Sequence, residues 1–338
     1  MDSASQLFGY RKLGRTGLKV SAICLGTMMY GNQVSEAESI RIIERALDGG
    51  VNFLDTADSY IAGKSEQIVG KALKGKRHSV VLATKVGFST GSNINDAGLS
   101  RKHIMQGIED SLHRLNTDYI DIYYAHQPDY ETPIEETLHT MDNLVQEGKV
   151  RYIACSSFTA WQLCKALWVS DLHNLARFDC VSSPYNLLTR DIEYELLPLC
   201  ASEGVGVCVY NPLAGGLLTG KHDFNKPPKE GTRFTLNYEF DREKIGGMYR
   251  ARYWSETNFN AVASLSRIAK EHGRSLPQFA LAWTLANKTI TSAICGVTSL
   301  KQLDENIGAT KVKLTEEELA ACDSVWQQLR PPRFFYGI

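Results

Sequence analysis

The sequence predicts an α/β protein, a (β/α)8 TIM barrel in which eight parallel strands are each followed by a helix. Runs of β-branched and apolar residues alternate with stretches that carry apolar residues at helical spacing, almost to the end of the chain. The length of 338 residues suits a single barrel domain, since such barrels range from about 200 to over 400 residues. The eight strands are expected at residues 20–25, 51–55, 80–85, 119–126, 150–155, 178–182, 205–210 and 290–294.

The segments between these strands predict helices, because their apolar residues recur every three or four positions and would form one face against the barrel. No sequence repeat accompanies this alternation, so the repetition is one of architecture only. The clearest helical segments are residues 35–47, 65–73, 101–115, 134–146 and 192–202.

Two segments depart from the alternation. Residues 211–258 form a long insertion after strand seven, predicted to be a loop that covers a ligand because it is rich in glycine, proline and aromatic residues. Near the C-terminus, Thr315 and the following glutamates predict a capped helix to about Leu329, followed by a tail with Phe334, Phe335 and Tyr336 that could pack over the barrel mouth. The aromatic residues of the insertion include Phe224, Phe234, Tyr238, Phe240, Tyr249, Tyr253 and Trp254.

Composition narrows the classes of partner and compartment. Lys and Arg number 37 against 38 Asp and Glu, so no basic surplus favours nucleic acid, and small neutral partners are expected. The eight cysteines lack any C-x-x-C pair and predict buried thiols in a reducing compartment. Neither a secretion signal nor a membrane-spanning run is recognisable, so a cytoplasmic protein is expected, with the oligomeric state left open.

Three of the predicted strands end on titratable side chains. Residues 52–60 read NFLDTADSY, so Asp55 ends a strand and Tyr60 follows in a short loop, while Lys85 and His126 end two later strands. The C-terminal ends of parallel barrel strands converge on one face, which would bring these four groups together. Reduction of a carbonyl needs an acid for the developing alkoxide, and an ammonium beside a phenol favours the phenolate and eases proton transfer. We therefore expect Tyr60 as general acid/base, Lys85 as its electrostatic partner, Asp55 as the carboxylate that holds Lys85, and His126 as the donor that orients the carbonyl oxygen.

The chain resembles the aldo-keto reductases in several segments that occur in the family's order. These are residues 10–21 (YRKLGRTGLKVS), 25–28 (LGTM), the three strand ends above, 207–221 (VCVYNPLAGGLLTGK) and 302–309 (QLDENIGA). The resemblance implies a carbonyl reductase that uses NADP(H), with NAD(H) possible, and assigns the same four catalytic residues. It covers nearly the whole chain.

A dinucleotide site is expected without a Rossmann fingerprint, because the one Gly-x-Gly, at residues 204–206, precedes its strand and has no third glycine. The glycines of residues 213–217 would instead let backbone N–H groups approach a pyrophosphate, with Lys221 just beyond. The resemblance further implies that Tyr210 stacks on the nicotinamide and that residues 298–306 hold the adenosine. The expected cofactor contacts are Gly26, Thr27, Met28, Asp55, Ser156, Ser157, Ser182, Tyr210, Asn211, Pro212, Leu213, Ala214, Gly215, Lys221, Arg233, Thr298, Gln302, Glu305 and Asn306.

The sequence also departs from the family pattern. Ser157 and Ser182 stand where many members carry Asn and Gln, so short hydroxyls replace the usual carboxamide partners of the nicotinamide. Ser299 stands where a basic residue often sits near the adenosine, which leaves Arg233, Lys221 and Lys301 as candidates for a 2′-phosphate. NADPH is expected over NADH. The expected substrate contacts, near the barrel mouth and in the insertion, are Met29, Tyr30, Tyr60, Phe88, His126, Tyr253 and Trp254.

Three alternative functions are less favoured by the sequence. Residues 87–91 (GFSTG) match a nucleophile elbow, but the following residues are typical of a loop where a hydrolase needs a helix. A metal site is disfavoured because His126 has no histidine at ligand spacing. The main alternative is a cofactor-sensing regulatory subunit of the channel β-subunit type, which shares this fold and site pattern; no long blocking peptide precedes Tyr10, which favours a free-standing enzyme.

Overall fold

The structure, a computed structural model, describes residues 9–237, 239–240 and 243–330, without the side chains of residues 239, 240 and 243. Within these ranges, the eight predicted strands are present as a closed parallel barrel. The strands are β1 Arg11–Lys12, β2 Lys19–Val20, β3 Ile23–Gly26, β4 Phe53–Asp55, β5 Val81–Val86, β6 Ile120–Ala125, β7 Val150–Ser156, β8 Phe178–Pro184, β9 Gly206–Tyr210, β10 Glu239–Phe240, β11 Glu243–Lys244 and β12 Ile290–Gly296.

The barrel order is β12-β3-β4-β5-β6-β7-β8-β9, and β9 pairs with β12 to close it. Helices connect successive strands and cover the outside of the barrel, which confirms the predicted (β/α)8 architecture. The helices are α1 Glu36–Asp48, α2 Lys64–Ala72, α3 Arg101–Leu115, α4 Ile134–Gln146, α5 Ala160–His173, α6 Leu196–Glu203, α7 Ile245–Tyr253, α8 Glu256–Glu271, α9 Leu276–Ala286, α10 Leu300–Gly308 and α11 Glu316–Leu329.

The end of the barrel opposite the strand C-termini is closed by the antiparallel β1–β2 hairpin. Leu13 of this hairpin is fully buried in the cluster that fills the barrel interior with Phe53, Ile122 and Tyr124. Gly14 has a positive φ of 54°, and a Cβ there would lie 2.3 Å from the carbonyl oxygen of Gly204, so only glycine fits. The barrel interior is therefore packed, and the hairpin closes the end opposite the strand C-termini.

Most predicted helices match closely, and the mismatches have local causes. Thr315 caps α11 through a reciprocal capping box with Glu318, as predicted. The helix expected at 192–202 instead begins at Leu196 after a short 3-10 turn, because Pro198 has no N–H to donate and fits only in the first helical turn.

The insertion at 211–258 is not a continuous loop. It contains 3-10 turns at Ala214–Thr219 and Arg233–Thr235 and the helix α7, and its far end is already the start of α8. The predicted aromatic tail at 331–338 and Tyr238 lie outside the described residues. No helix in the described ranges is both long and apolar enough to cross a membrane. The cysteines are free thiols, and of these Cys164 is exposed, contrary to the prediction that all are buried.

Candidate active site

The four predicted catalytic residues meet at the C-terminal face of neighbouring barrel strands. Asp55 is the last residue of β4, Lys85 lies near the end of β5, and His126 directly follows β6. Tyr60 lies in the loop between β4 and α2. All four are nearly inaccessible to solvent, with exposed fractions between 2% for Asp55 and 9% for Tyr60. A cluster of titratable groups this deeply buried is typical of a catalytic site.

Lys85 is the centre of this cluster. Its ammonium donates to Asp55 Oδ1 at 2.5 Å, to the carbonyl oxygen of Thr56 at 2.6 Å and to the Tyr60 hydroxyl at 3.2 Å. All three donor sites of the ammonium are thereby used. The carboxylate compensates the buried positive charge, and the third bond fixes the position of the phenol oxygen.

Burial decides the protonation state of Tyr60. Burial raises its pKa to about 12, with a further rise from Asp55, while Lys85 opposes the increase through its charge and hydrogen bond. The ammonium acts in the expected direction, since it favours the phenolate, but desolvation outweighs it and the net pKa of the phenol is raised. At neutral pH the phenol is protonated and can act as an acid.

At neutral pH, Lys85 is positively charged and His126 is neutral. Burial lowers the pKa of Lys85, but Asp55 and Tyr60 more than offset it, so the net pKa is raised and the ammonium persists at neutral pH. Burial and the charge of Lys85 both hold the pKa of His126 well below its usual value, so the imidazole is neutral. Its ring lies edge-on to Tyr60 and to Phe88, with centroid distances of 5.7 Å and 4.4 Å. A neutral imidazole has one ring N–H to offer a carbonyl oxygen beside the phenol.

A cavity of about 780 Å³ extends from these residues across the barrel mouth. This volume lies within the range of typical ligand and cofactor pockets. The structure brings most of the predicted site residues to its wall. The predicted residues that line it are Gly26, Thr27, Met28, Met29, Asp55, Tyr60, Lys85, Phe88, His126, Ser156, Ser157, Ser182, Tyr210, Asn211, Pro212, Leu213, Gly215, Lys221, Arg233, Thr298, Gln302, Glu305 and Asn306.

Four predicted contacts do not line the cavity. Tyr30 is fully buried, because a turn closed by its N–H and the carbonyl oxygen of Thr27 directs its ring into the core. Ala214 is likewise fully buried. Tyr253 is 4% exposed, with its hydroxyl 3.5 Å from Asn186 Nδ2, and Trp254 packs into an aromatic cluster. Tyr253 and Trp254 therefore support the insertion rather than form its cavity wall.

A chain of hydroxyls lies at the ends of β7, β8 and β9. Ser182 Oγ is 2.9 Å from Ser156 Oγ, and Ser157 Oγ is 3.0 Å from the Tyr210 hydroxyl. Ser156 and Ser182 pair directly in the parallel register of β7 and β8, which explains their contact. The hydroxyls predicted to replace the carboxamides are thus adjacent and face the cavity.

The glycine-rich turn after β9 has a strained backbone. Asn211 and Ala214 adopt positive φ angles of 56° and 49°, and Gly215 follows at 66°. A Cβ on Gly215 would lie 2.4 Å from the Tyr249 ring, and the Tyr249 hydroxyl donates to Asn211 Oδ1 at 2.8 Å. Strained non-glycine residues persist where the surroundings enforce them, and they concentrate at ligand sites. Helix α7 therefore clamps this turn through Tyr249.

Arg233 and Lys221 are cations of the insertion that line the cavity. Arg233 Nη1 lies 3.1 Å from Met28 Sδ and 3.4 Å from the Tyr249 hydroxyl, so it bridges the turn after β3 and helix α7. Neither Arg233 nor Lys221 forms an ion pair with a carboxylate in the described ranges. At the far end, Gln302 Oε1 accepts from Thr298 N and Glu305 accepts from Ser275. Unpaired cations over a strained glycine turn suit the phosphates of a dinucleotide.

The cavity wall also contains residues that were not predicted as contacts from the sequence. Tyr249 and Arg252 reach the cavity because they are three residues apart on one face of α7, a helix hidden by the Gly246-Gly247 pair at its start. Tyr249 was at least counted among the aromatic residues of the insertion. The residues not predicted as contacts are Gln33, Gln127, Pro128, Tyr130, Thr159, Gln162, Thr219, Gly231, Thr232, Met248, Tyr249, Arg252, Pro277, Ile294, Cys295, Gly296 and Val297.

The nucleophile-elbow motif lies in an exposed, irregular segment. Ser89 is exposed and bonded to the carbonyl oxygen of Gly91, and the chain from there stays irregular until α3 begins at Arg101. The elbow motif thus lacks the helix that a hydrolase requires. Among the described residues, no cluster of His, Cys, Asp and Glu could hold a metal ion.

Comparisons with known proteins agree with this geometry. The family model of the Aldo/keto reductase family matches residues 22–327. A protein of Arabidopsis thaliana named as a probable voltage-gated potassium channel subunit beta is 37% identical over 90% of this chain and 91% of its own length. A rice protein of the same name is 37% identical over 96% and 98%, and a putative subunit of that kind from Schizosaccharomyces pombe is 38% identical over 94% and 92%.

Proposed function

The chain belongs to the aldo/keto reductase family, and from that premise we propose that it reversibly reduces an aldehyde or ketone to the alcohol, using NADPH in preference to NADH. One observation carries the proposal. The Lys85 ammonium bridges Asp55 and the Tyr60 hydroxyl at the buried end of a cavity large enough for a cofactor and a small substrate.

Each residue of the buried cluster has a part in the reaction. Tyr60 holds its proton at neutral pH and delivers it to the carbonyl oxygen. Lys85 stabilises the phenolate that remains, since its charge already lowers the pKa of Tyr60. Asp55 keeps that ammonium in place, and the neutral His126 orients the carbonyl oxygen beside the phenol.

The residues present fit a nicotinamide dinucleotide. Such a cofactor supplies the hydride when it is bound. The phosphates would lie against the glycine turn with Lys221 and Arg233, the nicotinamide against Tyr210 and the serine hydroxyls, and the adenosine near residues 298–306. Arg233 is the candidate for the 2′-phosphate that distinguishes NADPH from NADH.

The test is a screen of aldehydes, ketones and secondary alcohols with each cofactor, in which oxidation or reduction of the nicotinamide is followed by absorbance. Many turnovers per chain, an alcohol product and a higher kcat/KM with NADPH are expected. The Tyr60→Phe variant is the matched control. It keeps the ring and removes the proton donor, so turnover should fall while cofactor binding persists.

A second function is favoured by the names of the three relatives, which are potassium channel β subunits. In that case the chain would bind the cofactor and report its redox state to a membrane channel, with little turnover. Tight cofactor binding with at most one turnover per chain across the whole screen would support this alternative. A cytoplasmic location suits both functions and remains a prediction.

A further inference from the structure

Arg252 is a cation on the wall of the cavity. It lies on α7 three residues after Tyr249, so both side chains share the helix face that covers the barrel mouth. Its guanidinium carbon is 5.8 Å from the centre of the Tyr249 ring. The residue is exposed and lines the same cavity as Tyr60 and His126.

Within the described ranges, Arg252 has no ion pair and no hydrogen bond. Its neighbour Arg250 is different, since it does not line the cavity and donates to the carbonyl oxygen of Phe234 at 2.5 Å. An arginine held along the wall of a pocket with its five N–H donors unused is suited to bind an anion that enters from solution.

The other charged side chains of the cavity wall have a partner or a role in cofactor binding, and within the part of the chain that the structure describes Arg252 has neither. Asp55 and Lys85 neutralise each other, and Glu305 is bonded to Ser275 at the far end. Lys221 and Arg233 are the cations suited to the cofactor phosphates. Arg252 is therefore a third cation, in excess of what the dinucleotide requires.

The contacts of Tyr249 locate Arg252 along the cavity. Arg252 lies beside the Tyr249 ring, and the Tyr249 hydroxyl donates to Asn211 Oδ1 at 2.8 Å, directly after the end of β9. The last residue of β9 is Tyr210, and its hydroxyl bonds Ser157 among the strand ends. The guanidinium thus lies on the part of the wall next to the end of β9, in the same cavity as Tyr60 and His126.

We propose that Arg252 binds a carboxylate carried by the substrate, so that the preferred substrates are aldehydes or ketones with a second, anionic end. A guanidinium and a carboxylate form two parallel hydrogen bonds, which would hold the carbonyl end towards Tyr60 and His126. This inference rests on the proposed reductase function and specifies the substrate class of that site.

The test compares 4-formylbenzoate with its methyl ester, because the two have the same ring and reacting aldehyde and differ in charge. The wild-type chain should have a higher kcat/KM for the carboxylate. The Arg252→Met variant should lower the ratio of the two kcat/KM values by about 10- to 100-fold, as expected for hydrogen bonds to a charged group. Arg252→Lys should restore part of the ratio, and Arg250→Met, the matched control, should leave it unchanged.

A binding measurement separates recognition from chemistry. Calorimetric affinity for the alcohol product 4-(hydroxymethyl)benzoate should fall by a similar factor in Arg252→Met, and added salt should weaken the wild-type affinity. Equal losses for both substrates, or a raised KM for the cofactor alone, would assign Arg252 to the cofactor or to the fold and overturn the inference. Turnover of the ester without any preference for charge would refute the inference alone. Absence of turnover with either substrate would refute the proposed reductase function together with it.

Discussion

Replacement of Lys85 by Met tests the buried ion pair most directly. Methionine has a similar length but no charge, so the variant loses the contacts to Asp55, Thr56 and Tyr60 and keeps the volume. Asp55 would remain 2% exposed, and its Oδ2 has no hydrogen-bond partner among the described residues. Removing one partner of a buried pair costs about 3–5 kcal/mol because the other charge stays uncompensated.

Protonation of Asp55 limits that cost and makes it depend on pH. Burial already raises the pKa of Asp55, and Lys85 is the group that opposes this rise, so the pKa in the variant should rise further. A carboxyl whose pKa is raised in the folded state does not lower the free energy of unfolding at a pH below its unfolded pKa of about 3.9. The loss of stability begins above that pH and grows until the pH reaches the folded pKa. The variant should therefore lose less stability at about pH 5 than at about pH 8, at about 1.4 kcal/mol per unit of pKa shift.

Urea unfolding of the wild type, Lys85→Met and the double variant Asp55→Asn/Lys85→Met at the two pH values measures this. The single variant should be less stable by about 3 kcal/mol or more at the higher pH. The double variant should recover most of that loss at either pH, because no buried charge remains. In parallel, kcat of Lys85→Met should fall by about 100-fold or more, with Asp55→Asn milder.

Equal destabilisation at both pH values, with no recovery in the double variant, would show that Asp55 is not left charged by the substitution. An active Lys85→Met with an unchanged pH profile would refute the coupling between Lys85 and Tyr60. The stability and activity measurements are independent, so each part of the reasoning can fail by itself.

Three other predictions concern the same cavity. Tyr60→Phe should lower kcat by about 100- to 10,000-fold with cofactor affinity nearly unchanged, and near wild-type turnover of this variant would remove Tyr60 from the mechanism. Because the pKa of the Tyr60 phenol is about 12, the wild-type rate of reduction should not fall through Tyr60 ionisation across the neutral pH range. Arg233→Ala should weaken the binding of NADPH by about 10-fold or more with little effect on the binding of NADH, as measured by fluorescence titration. Equal weakening of the two affinities would assign Arg233 to the loop or the pyrophosphate. Trp254→Ala should lower thermal stability without changing the ranking of carbonyl substrates, while Tyr249→Ala should change that ranking in steady-state assays. The opposite pattern would show that Trp254, and not Tyr249, contacts the substrate.

Local sequence patterns were enough to predict the barrel and the buried cluster of Asp55, Lys85 and His126. Each strand is a short β-branched or apolar run, and Asp55, Lys85 and His126 lie at or just beyond the ends of such runs, so chain position alone predicts their face of the barrel. The capping box at Thr315 is equally local, since all its hydrogen bonds form within four residues.

Which residues of the insertion line the cavity, and whether the Tyr60 phenol keeps its proton, depend on the packing of the whole chain. The insertion gave no periodic signal, so only its packing shows that Tyr249 and Arg252 line the cavity while Tyr253 and Trp254 support it. Likewise, the sequence placed an ammonium beside Tyr60, but the pKa of that phenol depends on how much water the assembled barrel excludes. Spacing along the chain fixes local geometry, whereas burial is a property of all the elements that close around a site.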